Sequence, residues 1–217
     1  MNCCFCEEYH NPLNNQYYNE FGKSRNIPSR IIFETDNWYV VPTIGCLTIG
    51  YVLLVCKIHH MSLANLNLKL YSEMLEIKKA VTKILEEKTG YKCISFEHGL
   101  THIDFAGTNS VNHVHMHIVP CRTDIWPNTI RKYRNVNPGI FLDFMQLFDF
   151  WQHNYPQAYL IFQDVKETIH YIPDSSGFPS QFFRRHLAAS LSMNEWDWRK
   201  ECYIDNLIAT YYLFSIN

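Results

Sequence analysis

From residue 30 onward the chain runs in short apolar stretches separated by turn residues. Residues 31–35 read as a strand, Asp36-Asn37 as a turn and residues 38–42 as a second strand. Gly45 and Gly50 bracket a loop before a third strand at 51–56. The period then changes. Leu63, Leu66, Leu70, Met74, Ile77, Val81 and Ile84 recur every three or four positions, one face of a long amphipathic helix that Thr89-Gly90 brings to an end. Residues 91–97 form a further strand and 112–119 a fifth, closed by Pro120. This set predicts an α+β arrangement in which an antiparallel sheet is crossed by one long helix.

Past Pro120 a connection rich in Asn, Arg and Pro leads to a helix at 141–151, a hairpin at 158–165 and 168–171, and a helix at 181–191 with Ser180 as its N-cap. The expected division is a domain at 1–125 and a C-terminal α/β extension, 126–217, packed on it. The first thirty residues are a polar lead-in, rich in Asn and Tyr, that carries Cys3, Cys4 and Cys6.

At 217 residues, 47% of them hydrophobic, the chain can bury a core without disulfide staples. The run at 51–56 is ended at once by Lys57 and two histidines, so no membrane span is expected. The N-terminus has neither the basic region nor the apolar core of a secretory signal, which points to the cytoplasm. A formal charge of −2 gives no general pull toward nucleic acid or anionic membrane. An anionic ligand therefore needs a local site, and the basic cluster at 122–134 reads as a solvated loop.

The clearest chemical signal is His113-Val114-His115-Met116-His117. In a strand, residues two apart share a face, so the three imidazoles point one way and Val114, Met116 and Ile118 the other. Three buried imidazoles need partners: a metal, a phosphate or backbone carbonyls.

With its flanks, this run resembles the signature of the histidine triad (HIT) superfamily of nucleotide hydrolases and transferases, His-φ-His-φ-His-φ-φ with φ apolar, at all seven positions of 113–119. Gly107-Thr108-Asn109-Ser110-Val111 is similar to the family's turn into the catalytic strand, and residues 50–59 to its strand ending in Pro-Lys-x-His, with Cys56 in place of the proline. The resemblance spans about residues 1–125. It implies a covalent nucleotidyl intermediate on His115, with His117 stabilising charge beside the phosphate. It also places Ser110, Asn109 and Glu97 near the substrate, although a carboxylate at 97 repels phosphate unless it is protonated or bound to a cation. Imidazole suits this chemistry as a neutral nucleophile near pH 7 whose phosphoramidate passes its cargo on.

Cys3 and Cys6 form a Cys-x-x-Cys pair, half of a tetrahedral zinc site. In zinc-containing branches of the superfamily two histidines complete it, which here are His59 and His113. The implied metal is structural, since four protein ligands leave no position for water. Cys4 and His60 are the neighbours that could take the same places.

In the tail, Ser180 and Gln181 at a helix start, followed by Arg184 and Arg185, make a candidate phosphate contact. The resulting expectation is a nucleotidyltransferase or hydrolase acting on an α-phosphate, with an adenine nucleotide as default substrate and a homodimer as the common family assembly. A non-catalytic zinc-stabilised binding module is the alternative. The acidic balance disfavours nucleic-acid ends as the substrate.

Overall fold

The computed structural model describes residues 3–101, 111–122, 124–126, 129 and 137–215. Its centre is one sheet of strands β1 (Phe33–Glu34), β2 (Trp38–Pro42), β3 (Val52–Cys56), β4 (Cys93–Leu100), β5 (His115–Pro120), β6 (Gly139–Phe141), β7 (Ala158–Gln163) and β8 (Ile169–Ile172). They lie in the order β1-β2-β3-β5-β4-β7-β8-β6. Every neighbouring pair is antiparallel. The C-terminal strands thus continue the sheet begun by the N-terminal ones, joined where β4 pairs with β7.

Helix α1 (Cys4–His10) precedes a π-helical turn at Tyr18–Gly22, so the lead-in is structured. The long helix α2 (Leu68–Thr89) starts at Asn67, whose side chain accepts from the Leu70 N–H, and ends at Gly90 in the left-handed region. It buries Leu70, Met74, Ile77, Val81 and Leu85. Leu63 belongs to a separate short turn, Leu63–Asn65, and Leu66 to the connection after it. Leu85 takes the buried place expected for Ile84, because a straight helix drifts round its own apolar stripe.

Alternation along the strands separates two cores. Val114, Met116 and Ile118 face α2 and helix α3 (Phe144–His153). Leu53, Val55, Phe96, Leu160 and Phe162 face the other side, against Phe5 of α1 and helix α4 (Phe182–Ser190). Helix α5 (Ile204–Ser215) adds Leu207 to this second core. Each large apolar side chain so buried contributes roughly 2 kcal/mol, enough to outweigh local propensity in placing a helix. Strand β6 and α5 carry no clear pattern in the sequence and were not among the expected elements. Among the described residues no helix is long and apolar enough to cross a membrane.

Candidate active site and metal centre

The histidine run enters β5 at His115, which pairs with Val55 of β3. His113 precedes the strand: its ring turns into a cluster with the N-terminal helix. Its Nε2 lies 2.7 Å from the Cys56 carbonyl. A carbonyl only accepts, so Nε2 carries the proton and Nδ1 is left with a lone pair. That lone pair faces Cys3 Sγ at 3.2 Å and Cys6 Sγ at 3.6 Å. His59 Nδ1 lies 3.5 Å from Cys6 Sγ. The four donor atoms fall within 4.8 Å of one another. Cys3 sits at the N-cap of α1 and Cys6 three residues on, so both thiols reach the same side.

This donor set fits zinc. Two sulfurs and two imidazole nitrogens suit a closed tetrahedral site, and the carbonyl behind His113 fixes the ligating tautomer. Burial holds the His113 pKa down at about 4, so its ring is neutral, as a ligand must be. Among the described residues this is the group that gathers three or more metal-ligating side chains, and neither Cys4 nor His60 belongs to it.

Two residues further on, His115 Nδ1 lies 2.6 Å from the His113 carbonyl. By the same logic Nδ1 is the protonated nitrogen, and Nε2 keeps its lone pair. Burial lowers the His115 pKa, so the ring is unprotonated at neutral pH. His117 stacks on Phe96, centroids 4.5 Å apart, and its Nδ1 is 2.7 Å from the Tyr51 hydroxyl. Burial, helped by the nearby His115 and Arg184, holds His117 well below the usual range.

Both rings line a cleft, open to solvent, between α1 and α4. Phe96, His98, Arg30, Gln181 and Arg184 also line it. Arg30 is engaged elsewhere, in a bidentate pair with Glu8 at 2.7 Å for each contact.

The family model of the HIT domain matches residues 24–124. This stretch is a HIT domain. Solved structures with HIT-like chains include a histidine triad nucleotide-binding protein from Candida albicans (24% identity, TM-score 0.40), covering 56% of this chain and 76% of that one. A HIT family member from Bacillus subtilis is 21% identical with a TM-score of 0.42, over 55% of this chain and 73% of its own. A HIT family hydrolase from Clostridium thermocellum is 22% identical with a TM-score of 0.36, over 56% and 91%. No curated protein matches the chain.

Several expectations for the HIT domain and its extension require correction. Glu97 does not face the cleft. Strand alternation puts Phe96 and His98 on the histidine side and Glu97 on the α2 side, where it is buried. There its carboxylate accepts from the Leu63 N–H at 2.9 Å and the Tyr159 hydroxyl at 2.6 Å. Burial raises its pKa to about 8. Ser180 is not the cap of α4: Gln181 holds that place, with φ 56° and no side-chain cap bond. Arg185 turns away from the cleft, stacking on Trp196 at 3.5 Å and donating to the Ser180 carbonyl. Gln181 donates to Asp197 at 2.9 Å and is among the residues that line the cleft. Asn109 and Ser110 lie outside the described residues.

Sequence reading missed His98 and Tyr51. Parity along β4 reveals His98, two residues from Phe96. Tyr51 comes to the site through packing over long sequence separation, which no local pattern announces, whereas Arg184, expected from the helix start, does line the cleft.

Proposed function

We propose that this protein is a nucleotide hydrolase or nucleotidyltransferase that attacks the α-phosphate of a nucleoside phosphate compound with His115. The observation that carries this reading is the contact from His115 Nδ1 to the His113 carbonyl. It commits the proton to one nitrogen and leaves the other as a neutral nucleophile on the cleft wall. The HIT domain at 24–124 supports the same reading. His117 sits beside it as the residue that stabilises charge on the phosphate. Water as acceptor gives a hydrolase and a phosphorylated acceptor gives a transferase.

Zinc held by Cys3, Cys6, His59 and His113 supplies structure in this reading. His113 is at once a ligand through Nδ1 and, through its backbone carbonyl, the acceptor that orients His115. The metal cluster thereby fixes the backbone from which the nucleophile is aimed. Residues 1–125 form the catalytic unit and 126–217 an extension that closes the cleft with Arg184 and Gln181.

Incubating the protein with α-phosphate-labelled nucleotides and trapping acid-labile label on the chain tests this function. Label that depends on His115 is the expected result. A protein that binds nucleotide but never becomes labelled is a binding module instead.

A further inference from the structure

Arg184 is a cation without a counter-anion. It is 4% exposed, yet among the described residues no carboxylate pairs with it. Two of its nitrogens are tied to backbone carbonyls, Nη2 to Gly45 at 2.7 Å and Nε to Trp196 at 3.2 Å. Nη1 has no hydrogen-bond partner. The guanidinium lies 5.5 Å from the centre of the Tyr51 ring, whose hydroxyl contacts His117, and Arg184 lines the cleft with His115 and His117. Carbonyls orient a guanidinium but do not neutralise it, and a buried unpaired charge is costly. The other buried arginine of the cleft, Arg30, is neutralised by Glu8.

We propose that Arg184 reserves the cleft for substrates in which the group on the far side of the scissile bond is itself an anion, a phosphate or polyphosphate, rather than an amine or an alcohol. The proposal rests on His115 as the nucleophile. In the step concerned, the bond from His115 Nε2 to the α-phosphorus forms and the phosphorus–oxygen bond to the departing phosphate breaks. The electron pair leaves on that oxygen. A departing phosphate needs its charge stabilised, which a fixed guanidinium does. A departing amine or alkoxide instead needs a proton, and His117, buried and next to the Arg184 charge, is held neutral and is a poor acid. The site therefore favours leaving groups that carry their own charge.

The test compares two compounds with the same nucleoside and α-phosphate, a 5′-diphosphate and a 5′-phosphoramidate. In the parent protein kcat/KM for the diphosphate is expected to exceed that for the phosphoramidate at least tenfold, with inorganic pyrophosphate as a competitive inhibitor. Arg184→Met should lower that ratio about tenfold or more and weaken pyrophosphate inhibition in parallel, while Arg184→Lys keeps part of both. A parent that prefers the phosphoramidate overturns the proposal, whether or not the variants fold. So does an Arg184→Met protein with native circular dichroism that loses both substrates equally. Pyrophosphate binding measured by calorimetry keeps the proposal separate from the catalytic reading. Binding that depends on Arg184 in a chain that never becomes labelled refutes the nucleophile and leaves the anion site standing. Labelling of His115 with no pyrophosphate binding does the reverse.

Discussion

His115 donates through Nδ1 to the carbonyl oxygen of His113, 2.6 Å away, so one histidine of the run holds the tautomer of the next. Replacing His115 by Ala should remove covalent labelling and lower kcat at least a thousandfold. His115 is outside the metal cluster, so the zinc content of that variant should stay at the parent value. Undiminished turnover in His115→Ala would end the covalent mechanism.

The Cys3, Cys6, His59 and His113 cluster predicts about one zinc per chain by elemental analysis. Cys3→Ser or Cys6→Ser should lose the metal and several kcal/mol of stability together, a fall in Tm on the order of 10 °C. Cys4→Ser, adjacent in sequence but outside the cluster, should keep its zinc. A metal-free parent with the stability of the purified protein contradicts the site.

Buried Glu97 gives a signed pH dependence. Its pKa rises from 4.5 in the unfolded chain to about 8 in the fold, so between those values the folded state holds a proton that the unfolded state has released. Stability must then fall as pH rises through this window, by up to about 1.4 kcal/mol per pH unit. Glu97→Gln should remove this slope. The cleft histidines His115 and His117 pull the opposite way below about pH 6.5, since burial keeps them neutral when folded. The informative measurement is thus the Tm difference between parent and variant from pH 6.5 to 8. A parent that gains on the variant as pH rises contradicts the assignment.

Gly45 sits at φ +71°, and a Cβ there would lie 2.6 Å from Arg184 Nη2 and 2.6 Å from Trp198 Cβ. Gly45→Ala should cost about 2–4 kcal/mol from backbone strain and overpacking, read by urea denaturation. An unaltered midpoint would show that the tail is not seated on this loop.

Arg185 serves as the contrast to Arg184. Its charge stacks on Trp196 outside the cleft. Arg185→Ala should keep kcat/KM within about twofold of the parent. A larger loss would place Arg185, rather than its neighbour, on the substrate.

The strands of the HIT domain and its long helix were legible because α2 repeats close to every 3.6 residues, β2 and β3 are unbroken apolar runs bounded by turn residues, and the histidine strand alternates with period two. The histidine run was legible for the same reason: alternation alone puts Val114, Met116 and Ile118 into one core and the imidazoles on the opposite face. Glu97 was misplaced because its side depends on the register between strands: Phe96 is the β4 residue paired with His117 and stacked on its ring, so Glu97 falls on the opposite face. The contacts that complete the site were not legible. Tyr51 meets His117 across 66 positions and Arg184 meets Gly45 across 139, and in both cases packing alone decides which side chains converge.

Strand β4 has a neighbour on each side, β5 from the HIT domain and β7 from the extension, over Ser95 to Leu100 in the latter case. A second molecule therefore finds no vacant edge there. Among the described residues the outer strands of the sheet are β1 and β6, both short. The tail occupies the flank of β4 as a tethered neighbour, at an effective concentration set by the linking chain and untouched by dilution. Strand pairing that would otherwise depend on how much protein the solution holds is here written into a single polypeptide.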